Sequence, residues 1–170
     1  LNCSRHEDIF NEHSIIPQFC FGCFKVQVEP RTVVELIKLF LLFDWIGFEA
    51  NNIRKCMVEL RDEIPGFYKG LIYCTSLDEA ESVHQTILTH VSELIDPHVP
   101  CSVKRGCSEF AQAYPSYGYS EKTDSFALMD YPKEWEAIEN AYDADHNSER
   151  PLQGAPTLKG FSLSDFLIIR

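Results

Sequence analysis

Twice in this chain an alternating apolar run is followed within a few residues by a helix-start signature, and that repetition restricts the possible folds more than any other feature. The first instance is Lys25-Val26-Gln27-Val28-Glu29, then Pro30, then Thr32-Val33-Val34-Glu35. The second is YKGLIYCT over residues 68–75, followed by Ser76-Leu77-Asp78-Glu79. Alternation at period two puts Val26 and Val28 on one side of a strand and Lys25, Gln27 and Glu29 on the other, the pattern of a half-buried strand. Thr or Ser with Glu three residues later is a capping box, in which each side chain satisfies the other's backbone N–H at a helix start. The first box predicts a helix from Val33 to Trp45, broken by Gly47 and the Asn51-Asn52 pair. The second predicts a helix along which Ala80, Val83, Ile87, Val91 and Leu94 recur at three- and four-residue steps, stopping before Pro97.

Two further strands complete the pattern. Cys56, Val58 and Leu60 alternate with Met57, Glu59 and Arg61, and the turn signal Glu63-Ile64-Pro65-Gly66 joins them to residues 68–75 as a hairpin. Centred near Pro65, that hairpin sets Cys56 opposite Cys74, Val58 opposite Ile72 and Leu60 opposite Gly70, all on the buried face. PCSVKRG over residues 100–106 supplies a fourth strand with Val103 inward. The order strand, helix, strand, strand, helix, strand predicts an α+β fold of the ferredoxin-like split β-α-β kind, an antiparallel sheet with both helices on one face. The other face is expected to be open, showing Gln27, Met57, Glu59, Arg61, Lys69, Leu71, Tyr73, Ser102 and Lys104. Tyr73 is its only stacking ring, so the aromatic platforms of an RNA-recognition sheet are missing.

Before this core, residues 1–24 carry cysteines and histidines without a clear apolar period and are expected to be a metal-organised cap. The core runs over residues 25–106. Residues 107–170 follow as an extension: an aromatic loop AYPSYGYS, a helix over Pro132–Tyr142, a polar linker from Asp143 to Gly160, and the apolar end segment FSLSDFLIIR. With Leu1 first and no polar tail last, the chain reads as part of a longer protein. Its 170 residues, 45% hydrophobic, suffice for a core without disulfides. Its longest apolar run, Leu36 to Ile46, holds Lys38 and Asp44 and is too short to span a bilayer.

The formal net charge of −11 argues against a general nucleic-acid footprint. Glu109 to Arg150 alone, with ten acidic and three basic side chains, accounts for −7 of it. That segment reads as a solvated acidic face. Seven cysteines cannot all pair within one chain, and together with a C-x2-C pair they point to a reducing, cytoplasmic setting.

The motif with the most chemistry is Cys3-x2-His6-x13-Cys20-x2-Cys23. Thiolates and an imidazole at these spacings suit tetrahedral zinc, because a two-residue gap lets one tight turn aim two side chains at the same ion. Gly22 eases the crowding within Cys20-Phe21-Gly22-Cys23. The four donors close the shell and leave no position for water, so the zinc is expected to be structural. Iron–sulfur is the second candidate, with histidine the less usual ligand, and His13 is the alternative to His6. The zinc deaminase signature, H-x-E followed by P-C-x-x-C, is not met: Asp8 stands two after His6, and Pro17 stands three before Cys20.

Elsewhere, His98, Cys101 and Cys107 form a three-donor group that lacks a fourth ligand unless Cys74 or His90 reaches it. Cys107 is the candidate catalytic nucleophile, with Lys104 and Arg105 nearby to favour its thiolate and Gly106 leaving room for substrate. Cys56 and Cys74 are a candidate redox couple or ordinary core. The expected function is a zinc-stabilised intracellular binding or regulatory module acting through protein–protein contact, with a protein partner or other domains of the same protein. The alternatives are a cysteine-dependent enzyme or redox protein and, third, a nucleic-acid-binding module using the cap with Lys104 and Arg105.

Overall fold

A computed structural model describes residues 3–62, 64–119 and 128–146. The linker beyond 146 and the end segment lie outside the described residues. The chain divides into two compact units, one of residues 24–104 and one of residues 3–23 with the described part of 105–146.

The first unit is α+β. It contains β1 (Phe24–Val28), α3 (Val33–Trp45), β2 (Arg54–Val58), β3 (Tyr68–Cys74), α4 (Leu77–Leu94) and β4 (Cys101–Arg105). The four strands form one antiparallel sheet in the order β2-β3-β1-β4. Both helices start where the capping residues predict. Thr32 accepts from the Glu35 N–H at 3.2 Å and Ser76 from the Glu79 N–H at 3.2 Å. The return bonds reach one residue further back than expected, from Arg31 N–H to Glu35 at 2.7 Å and from Thr75 N–H to Glu79 at 2.6 Å.

Val26 pairs with Ile72 and Val28 with Gly70, so their side chains share the face turned to α3. A Cβ at Gly70 would run into Leu39 and come within 3.0 Å of Phe43, so glycine is what lets α3 lie this close to the sheet. Arg54 on β2 then donates to the Phe43 carbonyl at 2.6 Å and to the Ile46 carbonyl, tying down the C-terminal end of α3. Leu36, Leu39 and Leu42 of α3 are buried, as are Ala80, Val83, Ile87 and Val91 of α4.

Three expectations for this unit need correction. The β2–β3 register is shifted by four residues: Cys56 opposes Gly70, not Cys74, and Val58 opposes Tyr68, not Ile72. The connection is a longer loop over residues 59–67, closed by Glu59 N–H to the Phe67 carbonyl at 2.7 Å, rather than a tight turn at Pro65. An even shift preserves which residues share a face, but Leu60 falls beyond the strand and is 77% exposed.

Second, β1 is buried along its whole length, not half-buried. Third, the expected open face is only partly open: Arg61 is exposed and Met57, Tyr73, Ser102 and Lys104 are half-buried, while Gln27, Glu59, Lys69 and Leu71, together with Lys25, are buried. Their polar ends find local partners. The Lys25 ammonium lies 5.0 Å from the Tyr73 ring centroid, Gln27 donates to Glu29 at 2.6 Å, and Lys69 pairs with Glu59 at 3.4 Å. Glu59 is also gripped through both carboxylate oxygens by Arg61, each at 2.8 Å.

The second unit is helical, with α1 (Cys3–His13), α2 (Gln18–Phe21), α5 (Ser108–Ala113), a 3-10 turn (Pro115–Tyr117) and α6 (Trp135–Asp145). The N-terminal segment expected to lack periodic structure is therefore largely helix α1, with His6 and Ile9 buried. The aromatic loop begins as α5 and the 3-10 turn. Helix α6 starts at Trp135, three residues later than expected, because Pro132 supplies only the first carbonyl of the lead-in turn, accepting from Trp135 N–H at 3.0 Å. Ile9 and Ile15 pack with Tyr142 of α6, and Arg5 of α1 holds Asp143 through two bonds of 2.6 Å.

The Glu59 site yields a pH-dependent prediction. Hydrogen bonds from Arg61, with help from Lys69, pull the Glu59 carboxyl down to about 2 against the opposing effect of burial. A depressed acid stabilises fully above its unfolded value of about 4.3, and that stabilisation is lost as pH falls from there through about 2. Glu59→Gln should cost about 2–3 kcal/mol at pH 7, because it removes the carboxylate that Arg61 grips and leaves the buried Lys69 charge without its partner. Urea unfolding should show this gap shrinking below pH 4 and closing toward pH 2. A gap that does not change with pH would contradict the ion-pair account.

Candidate functional site

Helix α1 carries Cys3 and His6 on one face, since residues three apart lie one turn from each other. The His6 ring is buried and stacks on Phe19 of α2, with centroids 5.3 Å apart and planes inclined by 26°. Burial first, then the Arg5 charge, lower its pKa to about 4. Phe19 directly precedes Cys20, so this stack brings the His6 turn of α1 against the C-x2-C segment.

That segment folds as expected into a tight turn. Cys23 N–H donates to the Cys20 carbonyl at 3.2 Å and Gly22 N–H to the Phe19 carbonyl at 3.3 Å, and both cysteines are buried. What the sequence did not reveal is the second wall of the turn. Gly106 N–H donates to the Cys23 carbonyl at 2.8 Å, and the Tyr117 hydroxyl donates to the Cys20 carbonyl at 2.7 Å. Gly106 has a positive φ of 54°, and a Cβ there would collide with the Tyr117 hydroxyl. Glycine is thus required at this position for both its conformation and its size.

Cys107 follows immediately and packs against the cluster of Ile16, Cys20, Phe110 and Tyr117. Burial raises the Tyr117 phenol, with Cys20, Cys23 and Cys107 adding to the rise and Arg105 opposing it, so three thiols share the surroundings of one hydroxyl. Arg105 does not sit over Cys107 as a bare cation. Its guanidinium donates to the Phe21 carbonyl at 3.0 Å and the Met129 carbonyl at 2.9 Å, and stacks on the Phe21 and Tyr117 rings.

Glu139 is the other polar centre of this unit. Its carboxylate accepts from Gln18 N–H at 2.7 Å, the Tyr131 hydroxyl at 2.8 Å and Arg5 at 3.3 Å. Burial and this bond to Glu139 push the Tyr131 phenol up.

As a metal centre the arrangement fits in part. Cys20 and Cys23 are presented by one turn and Cys3 and His6 by one helix face, yet among the described residues no three His, Cys, Asp or Glu side chains converge on a point that could hold an ion. The alternative ligand His13 is exposed, its ring edge-on to Tyr142. His98 and Cys101 lie in the sheet unit and Cys107 in the helical one. His98 N–H donates to Asp96 at 2.7 Å, the Cys101 carbonyl meets His84 at 3.2 Å, and the His90 ring is held by the Thr86 carbonyl at 2.8 Å.

The register also separates Cys56 from Cys74. Cys74 stands four residues along β3 from Gly70, the partner of Cys56, a displacement of about 13 Å that no disulfide bridges without backbone movement. Among the described residues, no helix is long and apolar enough to cross a membrane. No family model matches this sequence, and no curated protein or solved structure is significantly similar to it.

Burial pushes the Cys56 thiol up to about 12, which leaves almost no thiolate at neutral pH. Alkylation of folded protein at pH 7, followed by peptide mass spectrometry, should label Cys56 at least about 100-fold more slowly than a free cysteine. Labelling at the rate of a free thiol would reinstate Cys56 as a redox candidate.

Proposed function

We propose that this chain is a binding module that works through protein–protein contact, built on a ferredoxin-like split β-α-β core. The alternation of strands and helices in residues 24–104 supports the fold reading, as does the strand order with β1 and β3 central and β2 and β4 at the edges. The odd cysteine count supports a reducing, intracellular setting.

The observation that carries the binding reading is the outer face of α3. Val34, Ile37, Leu41 and Trp45 are 59%, 44%, 50% and 71% exposed. Steps of three, four and four residues align them in one stripe. Since the inner side of α3 is apolar too, the helix is apolar nearly all round, the pattern of a helix covered on both sides. Isolated exposed apolar residues are ordinary, whereas a contiguous stripe marks a contact surface. A photo-crosslinking amino acid at position 41 should give one discrete higher-mass product in cells, and one at Gln85, exposed on α4, should give none. Equal background at both positions would count against the reading.

Cys3, His6, Cys20 and Cys23 belong to the same proposal as a zinc staple. The tight turn at Cys20-Cys23 and the His6–Phe19 stack support it, as two halves of a ligand set on adjoining elements. Zinc would contribute folding free energy and no reaction chemistry. Elemental analysis of protein purified without chelators should find one equivalent of zinc, absent from the Cys20→Ser, Cys23→Ser double variant, which should melt at lower temperature. Metal-free wild-type protein of unchanged stability would remove zinc from the proposal.

A further inference from the structure

We propose that Cys20 and Cys23 are a thiol–disulfide exchange site: the pair closes reversibly into a disulfide on meeting a small-molecule disulfide, with Cys107 as the thiol through which the oxidant enters. Zinc and the disulfide are alternative states of the same two sulfurs, so this site stands whether or not the zinc staple does.

A disulfide needs its two Cα atoms about 4.4–6.8 Å apart. The segment from Cys20 to Cys23 offers that spacing as it stands. Cys23 N–H donates to the Cys20 carbonyl at 3.2 Å, and Gly22 has φ −95° and ψ −2°. These are the marks of a type I turn, whose end Cα atoms lie within about 7 Å. A bond between residues three apart also brings their side chains toward one side. The turn is held from outside as well, because the Tyr117 hydroxyl and the Gly106 N–H bind the carbonyls of Cys20 and Cys23 at 2.7 and 2.8 Å. Closing the disulfide therefore asks for rotation of two side chains and little of the backbone.

Access is the second requirement. Cys20 and Cys23 are both buried, so an oxidant in solvent does not reach them directly. Cys107 is only partly buried and packs against the cluster that holds Cys20. The bond from Gly106 to Cys23 keeps it beside the turn. The Cys107 thiolate attacks one sulfur of the oxidant and releases one reduced thiol. Cys20 then attacks the Cys107 sulfur and releases the second, and Cys23 attacks Cys20, which returns Cys107 to its thiol. In sum, Cys20 and Cys23 give up two electrons and two protons, and the oxidant takes up both as two thiols. The bond closes a very short loop and constrains the unfolded chain little, so an excess of reduced thiol reopens it.

The tryptic peptide of residues 6–25 holds Cys20 and Cys23 and no other cysteine. The full chain, as purified and after removal of metal with a chelator, is equilibrated near neutral pH with mixtures of oxidised and reduced glutathione, then alkylated and digested. Mass spectrometry should find this peptide lighter by two hydrogens and unalkylated in oxidised glutathione, and doubly alkylated again after excess reduced glutathione. Cys107→Ser and Cys107→Ala, each checked for folding by circular dichroism, should slow the change at least about tenfold. Its final extent should stay the same, because an entry thiol affects rate and not equilibrium. A peptide that remains a dithiol in both preparations overturns the proposal, as does a glutathione adduct that persists on Cys107 while the pair stays reduced. Oxidation of a folded Cys107 variant as fast as the wild type overturns the entry role. Resistance as purified that the chelator relieves supports the site together with zinc binding, and oxidation of protein that carries no zinc supports the site alone.

Discussion

The missing side chain at Gly70 sets the geometry of the sheet unit. Leu39 and Phe43 occupy the space that a Cβ there would need, so α3 lies closer to the central strand β3 than any larger residue would allow. Arg54 fixes the far end of the same helix through two backbone carbonyls. With one side of α3 committed to the sheet in this way, its rotation about its own axis is settled. Val34, Ile37, Leu41 and Trp45 then have to point outward, although nothing in their chemistry favours water. The exposed stripe is therefore a consequence of the close approach at Gly70.

The sheet unit also shows how charge is kept inside a small domain. Glu59 and Lys69 are both buried and would be costly alone. Arg61, partly in solvent, completes the set by holding both oxygens of Glu59, so the buried acid has cations on more than one side. The loop over residues 59–67 makes this possible, because it carries Glu59 and Arg61 past the end of β2 and back toward Lys69. A tight hairpin would have kept them in the strand.

In the helical unit, the C-x2-C turn is held by groups from distant parts of the chain. Gly106 and Tyr117 satisfy the carbonyls of Cys23 and Cys20, while Glu139 meets the backbone of α2 at Gln18. A metal bound there would add to a turn that protein hydrogen bonds already define. Thus the turn that reads in sequence as a ligand motif is also a packing element, and Cys107 enters its neighbourhood through Gly106.

What could be read from the sequence was local. Thr32 and Ser76 mark helix starts because capping depends on residues within one turn, and the alternation in Lys25–Glu29 marks a strand because side-chain direction depends on parity alone. The α1 helix was less legible, because residues 1–24 show no clear apolar period and its buried positions, His6 and Ile9, are covered by Phe19 and Tyr142 from elsewhere in the chain. The hairpin register was not, because it depends on whether a polar loop closes tightly or widely, and the Glu59–Lys69 pair that rewards the wide closure joins a loop residue to a strand residue ten positions away. Nor was the fate of the second sheet face, the company of Tyr117 around Cys20 and Cys23, or the outward stripe of α3. The sequence by itself determined the helices and strands of residues 24–104 and which of their residues share a side. Only the tertiary structure decided which side is covered, since burial depends on contacts between residues far apart in the chain.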